Sequence, residues 1–306
     1  MTNQDFRNDL PAGFVKNTIA LCGERGEKWL DELPTILAEL GEKWGVEPGR
    51  HFKNLSYNYV ANAAMSNGKS AVIKIGLPLE DVEIFGETAY LKAVNGEGAV
   101  QLLGSDRERQ AILLERVVPG SNLKSFFKKD QAAATGVAIG VLKRVLRPVG
   151  EDVADLVSLD GWFDGMRRYP GTNFPHDYAE KALSFYEELS QDKANVLLIP
   201  GDLHHSNILT AKREPFLLID PKGMVGHAGY DMGVFLNNHR DWLDWDTRLE
   251  GKLDQAVIEF SAAFDLTDTA VRKWAFCQMV LSWWWIFDEM PELFAEGSGL
   301  SDIWNV

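Results

Sequence analysis

The chain has 306 residues, 45% of them hydrophobic, enough to bury a sizeable core and to predict two lobes or domains. Its formal net charge of −14 argues against nucleic acid as a general partner, because that partner needs a basic footprint. The two cysteines, Cys22 and Cys277, have no metal-site spacing and suggest no disulfide framework, which fits a reducing compartment. Met1 to Leu10 is polar and mixed in charge, without the basic and apolar regions of a signal peptide. The most apolar stretch, Ala275 to Phe287, is too short and too interrupted to span a bilayer. These features predict a cytoplasmic protein with no membrane partner; they leave its oligomeric state open.

In chain order, the first predicted element is a helix over Gly26 to Lys43, with Trp29, Leu30, Leu33, Ile36, Leu37 and Leu40 forming a core-facing stripe. A strand is predicted from Leu55 to Ala63 and another from Ala71 to Lys74, joined through the Asn67-Gly68 step, a strong hairpin signal. Lys74 ends a β-branched run, where a lysine either reaches solvent along its stem or meets something anionic. A helix over Asp81 to Val94 follows, with Glu87 near its middle. A strand lysine followed by a helix with an inward glutamate is the phosphate-gripping pair of kinases: the carboxylate orients an ammonium that bridges two phosphates as a point charge. Ala99 to Leu103 and Ala111 to Val117 read as two more strands, and Pro119-Gly120 breaks the chain just after them. Gly96-x-Gly98 opens no βαβ unit, so it is not read as a dinucleotide fingerprint.

From Leu123 onward the pattern turns helical, with helices over Ala132–Leu146, Gly161–Arg168, Tyr178–Leu189, Tyr230–Asn237, Arg248–Phe264 and Thr269–Asp288. Within this stretch lies Leu198 to Gly223. Asp202 and Asn207 are spaced D-x-x-x-x-N, and Asp220 follows the apolar run Phe216 to Ile219. That spacing is the kinase catalytic loop, in which the Asp takes the proton of the attacking hydroxyl and the Asn holds Mg²⁺. The spacing alone also suits an ordinary polar loop, so its context decides. Ile208 to Thr210 and Phe216 to Ile219 read as the arms of a hairpin, which brings Asn207 and Asp220 to one end of two neighbouring strands. Hard oxygens at that end suit Mg²⁺. The expected fold class is α+β, a protein-kinase-like two-lobe fold. A small antiparallel sheet lobe over 1–116 would serve the nucleotide. A larger helical lobe over 117–306 would carry the catalytic loop and the acceptor site.

The motifs Pro200-Gly-Asp-Leu-His-His-Ser-Asn-Ile-Leu, Ile219-Asp-Pro-Lys-Gly, Asn95-Gly-Glu-Gly-Ala-Val, Leu113-Leu-Glu-Arg-Val-Val-Pro-Gly-Ser and Ser282-Trp-Trp-Trp resemble the aminoglycoside phosphotransferase superfamily. The nearer likeness is to its branch of streptomycin 6-phosphotransferases and hydroxyurea phosphotransferases. The resemblance spans about Tyr59 to Glu289 and implies transfer of a γ-phosphoryl group from ATP or GTP, with Mg²⁺, to a small-molecule hydroxyl. It implies Asp202 as base, Asn207 and Asp220 as metal ligands, and Lys74 with Glu87 on the α- and β-phosphates. It implies hinge backbone over Glu115 to Val117 for adenine, and it puts His204 where protein kinases often place a phosphate-contacting lysine. Asp231 resembles a family aspartate that braces the catalytic loop, while Lys222 is distinctive of the branch and is given no role. Two departures stand out: members usually carry His where this chain has Pro200, and the hairpin near Ser56-Tyr-Asn-Tyr lacks glycines.

The residues leave two other functions open, a pseudokinase or nucleotide-binding module and a kinase of a metabolic sugar or alcohol. A protein kinase is disfavoured, since no Ala-Pro-Glu element follows Asp220. Residues 1–116 carry 13 Lys and Arg against 17 Asp and Glu, leaving −10 of the −14 in the helical part. Acids there cluster with aromatics at Asp241 to Asp246 and at Trp283 to Glu289. Carboxylates beside indole faces suit a cationic acceptor, with Asp288 and Glu289 as substrate candidates, although the same pattern suits core tryptophans beside a solvated acidic face.

Overall fold

The computed structural model describes residues 3–79, 83–128, 130–150, 154–168, 174–239, 249–289, 302–304 and 306. It divides into two compact units, Met1–Val117 and Val118–Val306.

Three helices lead the first unit: α1 (Asn3–Asp9), α2 (Ala12–Cys22) and α3 (Glu24–Trp44). The predicted helix is the body of α3, and Trp29 with Leu30, Leu33, Leu37 and Leu40, the leucines spaced three or four apart, are buried along one face. Gly45, at φ 62°, ends the helix in the left-handed conformation that glycine adopts without a Cβ penalty. The helices α1 and α2 lie outside the predicted elements.

A five-stranded antiparallel sheet follows, in the order β1 (Val46–His51), β2 (Tyr59–Met65), β3 (Ser70–Ile75), β5 (Ala111–Glu115) and β4 (Leu102–Asp106). The β2–β3 turn is the predicted one: Gly68 has φ 78° and the Lys69 N–H donates to Asn67 Oδ1 at 2.9 Å. The strand expected over 99–103 starts later, at Leu102. Gln101 is engaged at the strand's edge instead, its N–H donating to Glu115 Oε1 and its carbonyl accepting from the Glu115 N–H. On β3 the side chains alternate, so Ala71, Ile73 and Ile75 join the leucines of α3 in one core cluster. Each buried leucine there contributes about 1.5–3 kcal/mol. Lys74 points to the other face, where the helix α4 (Glu83–Val94) runs.

The second unit opens with β6 (Pro119–Asn122), α5 (Leu123–Phe127), α6 (Gln131–Val145), β7 (Val157–Ser158), α7 (Leu159–Arg168) and α8 (His176–Leu189). The strands β8 (Val196–Ile199), β9 (Ile208–Ala211), β10 (Phe216–Leu218) and β11 (Met224–His227) follow, and then the helices α9 (Gly229–His239), α10 (Leu249–Phe264) and α11 (Asp268–Glu289). Two small sheets, β10-β9-β6 and β7-β11-β8, frame the loop from Pro200 to Asn207. Among the described residues, the largest helical packing is α9 on α11. There Asn237 Nδ2 donates to the Ala275 carbonyl and to Gln278 Oε1, while its Oδ1 accepts from the fully buried Trp304 indole at 3.1 Å. Among the described residues no helix is long and apolar enough to cross a membrane.

Candidate active site

In the first unit, Lys74 and Glu87 form a buried ion pair, Nζ to Oε2 at 2.5 Å, with side chains 8% and 3% exposed. A lysine on β3 can meet a glutamate on α4 only because strand alternation turns it away from Ile73 and helix spacing turns Glu87 inward with Ile84 and Leu91. Such a pair is a poor stabiliser, since desolvating two charges offsets most of their attraction. What the pair does do is fix the position of the ammonium. Glu115 ends β5 and is partly exposed, and Val117, the last residue of the unit, is buried.

In the second unit, the loop after β8 is held by main-chain bonds. The Pro200 carbonyl accepts from the N–H groups of Lys222 and Gly223, at 2.8 and 3.1 Å. Gly201 has φ 77°, and a side chain on it would collide with Met224. Asp231, fully buried at the start of α9, accepts from Gly201 N–H with Oδ2 at 3.0 Å and from Leu203 N–H with Oδ1 at 2.9 Å. The start of α9 is itself fixed by packing. Gly229 N–H donates to His227 Nδ1 at 2.9 Å, His227 stacks on Trp274, and Trp274 leaves no room for a Cβ at Gly229.

The Asp202 end of the loop is partly open, with the Asp202 side chain 29% exposed. Asn207 Nδ2 donates to the Asp202 carbonyl at 3.1 Å and to its Oδ2 at 3.2 Å. Two acceptors on the amide nitrogen turn the Asn207 Oδ1 away from Asp202. Its main-chain carbonyl accepts from the Ile219 N–H at 2.8 Å, which closes the β9–β10 hairpin and brings Asp220 beside it. The amide oxygen and the carboxylate fit magnesium, a hard cation that takes few protein oxygens and completes its shell with phosphate and water. Asp220 has φ 54°, the left-handed region, in which Asp is tolerated better than most residues. His204 lies beside Asp202, Nε2 to Oδ2 at 3.7 Å, and Lys222 joins the site through its main chain.

Asp288 and Glu289 are the last two residues of α11, and their side chains lie outside the described residues, as does the whole stretch 241–246. Trp284 is buried against Gly165, whereas Trp285 is half-buried and meets Trp162 edge-on at 4.6 Å.

Burial pushes the Asp231 carboxyl up to about 7, and the Asp202 charge adds to this, against the pull of the two N–H donors. Unfolded, the same group titrates near 3.8. The folded chain therefore keeps this proton over a range where the unfolded chain releases it. Its contribution to stability is full below about pH 4 and falls as pH rises to about 7. Asp231→Asn cannot titrate and sets an amide against one of the two N–H groups, at a cost of about 1–3 kcal/mol. Thermal unfolding of the two proteins across that range should show the parent's advantage shrinking as pH rises; a constant gap would refute the assignment.

The fold is that of the kinase-like phosphotransferases. In solved structures it is shared with aminoglycoside phosphotransferase APH(4)-Ia in its complex with ADP and hygromycin B, at a TM-score of 0.59 and 12% identity over 86% of this chain and 94% of that one. It is shared too with amicoumacin kinase hAmiN bound to AMP-PNP and Ca²⁺, at a TM-score of 0.59 and 15% identity over 95% and 92%. The profile of the aminoglycoside/hydroxyurea antibiotic resistance kinases matches residues 43–289, and the chain belongs to that family. A hydroxyurea phosphotransferase from Kitasatospora aureofaciens is 30% identical over 73% of this chain and 66% of its own length. A streptomycin 6-kinase from Streptomyces glaucescens is 28% identical over 76% of each chain.

Proposed function

We propose that the protein transfers the γ-phosphoryl group of ATP or GTP, with Mg²⁺, to a hydroxyl of a small molecule. The acceptor we favour is an aminoglycoside such as streptomycin, with hydroxyurea as the second candidate, in keeping with the names of the relatives. One observation carries the reading. Asn207 is tied to both the carbonyl and the carboxylate of Asp202, and the Ile219 N–H on its main-chain carbonyl puts the next residue, Asp220, at the same end of the β9–β10 hairpin.

In this reading the Lys74 ammonium, oriented by Glu87, binds α- and β-phosphate oxygens, and main chain over Glu115 to Val117 binds the base of the nucleotide. Asp202 aligns the acceptor hydroxyl and takes its proton as the oxygen attacks. Asn207 and Asp220 would hold Mg²⁺, which supplies charge neutralisation on the β- and γ-oxygens. Asp231 and the Pro200 carbonyl keep the base in place, so the loop is braced without a histidine at position 200. Two buried free cysteines suit the reducing cytoplasm proposed for the protein.

The test is a turnover assay with Mg-ATP and Mg-GTP against streptomycin, hydroxyurea and a neutral sugar, read as phosphorylated product by mass spectrometry. Mg-nucleotide binding with no product from any acceptor would favour a binding module instead. If the acceptor is a polycation, its KM should rise between about 10 and 150 mM salt, as the screening length falls from about 30 to 8 Å. Asp288→Asn with Glu289→Gln should raise it further and spare the nucleotide. A salt-independent KM would count against a cationic acceptor.

A further inference from the structure

His204 takes a main-chain hydrogen bond on one ring nitrogen and turns the other toward Asp202. The Ser206 N–H donates to Nδ1 at 3.2 Å, and a ring nitrogen that accepts carries no hydrogen, so in the neutral ring the hydrogen sits on Nε2. That Nε2 faces Asp202 Oδ2 at 3.7 Å. The same oxygen accepts from Asn207 Nδ2 at 3.2 Å. Two N–H groups, one from two residues downstream and one from five, thus converge on a single carboxylate oxygen.

A carboxylate swings easily about its last torsion, since that sp³–sp² rotation is broad and roughly two-fold. Asp202 is open enough for water to compete for it, so its plane must be set by protein donors. Asn207 can supply only part of this hold, because its amide nitrogen is shared with the Asp202 carbonyl.

We propose that His204 is a positioning residue for the base. Its Nε2–H, directed by the Ser206 main chain, sets the plane in which the Asp202 carboxylate meets the acceptor hydroxyl. At 3.7 Å the hold is electrostatic; such contacts commonly tighten when substrates bind. The proposal rests on the reading of Asp202 as base. It departs from a phosphate-contacting role for His204, and the two roles separate in kinetics.

His204→Phe keeps the ring's bulk and removes both nitrogens. Mispositioning of a reacting group by about 1 Å costs about 100-fold, so kcat should fall about 10- to 100-fold while the nucleotide KM stays within about twofold. His204→Gln, which returns an N–H at similar reach, should recover most of the loss. On an Asp202→Asn background, His204→Phe should cost nothing more, since the group it positions is gone. Circular dichroism and thermal unfolding check that each variant is folded; if His204→Phe is not, His204→Ser takes its place under the same criteria. A kcat within about threefold of the parent overturns the proposal, as does a raised nucleotide KM at unchanged kcat, the mark of a phosphate contact. Should Asp202→Asn itself turn over normally, the base assignment fails first. If Asp202→Asn is inactive and His204→Phe is not slowed, only the role of His204 falls.

Discussion

Asp202→Asn should lower kcat by about 10²–10⁴-fold, the usual consequence of losing a general base, and should leave Mg-nucleotide binding intact. In barrier terms this is about 3–5.5 kcal/mol at about 1.4 kcal/mol per factor of ten. The substitution isolates chemistry from structure because the new side chain still offers an amide oxygen to Asn207 Nδ2, so the loop keeps its internal bond. Thermal-shift titration with nucleotide reports the binding half of the prediction, and single-turnover phosphorylation of the acceptor reports the other. Near-full turnover would mean that the proton goes elsewhere.

Asp220→Gly carries the second large effect, and it separates a ligand from a structural turn. Asp220 is exposed and sits at φ 54°, where a non-glycine residue is strained by roughly 1–2 kcal/mol. Glycine removes that strain, and its extra unfolded-state freedom costs roughly 0.5–1 kcal/mol. The two nearly cancel, so the backbone change by itself leaves Tm close to the parent's. Turnover in Mg-nucleotide should meanwhile fall by about 10³-fold, the scale of several kcal/mol of charge stabilisation. A turn residue kept for its shape would give the reverse, activity following a lowered Tm. That pair of outcomes would make the left-handed backbone at this position the mark of a group held in place for a ligand.

Much of this was legible in the sequence, for local reasons. The leucine stripe of α3, the Asn67-Gly68 turn and the hairpin of β9 and β10 are each set by residues close in the chain, and each formed where patterning put it. Lys74 and Glu87 are separated by 13 residues, short enough for a strand and a helix to be read as a unit. What escaped depends on contacts at longer range or on atoms rather than residues. The helices α1 and α2 are mixed in composition and take their place by packing on α3 and the sheet. The contact of His204 with Asp202 turns on which nitrogen the Ser206 main chain occupies; an Asp-x-His step in a tight loop is a signal for it, though a common one. Likewise, a brace for the loop was expected of Asp231, but the two-fold use of the Pro200 carbonyl is invisible to any side-chain motif.

The boundary of the family match also has a practical consequence for anyone cutting the gene. The match begins at residue 43, whereas Leu30, Leu33, Leu37 and Leu40 lie ahead of it and share a core with Ala61, Ile73, Ile75 and Leu113. A fragment started at residue 43 would keep every group assigned to catalysis, yet it would leave one face of the sheet bare. Apolar surface of that extent favours self-association over solubility. Such a fragment is expected to collect in the insoluble fraction on expression, however complete its motifs.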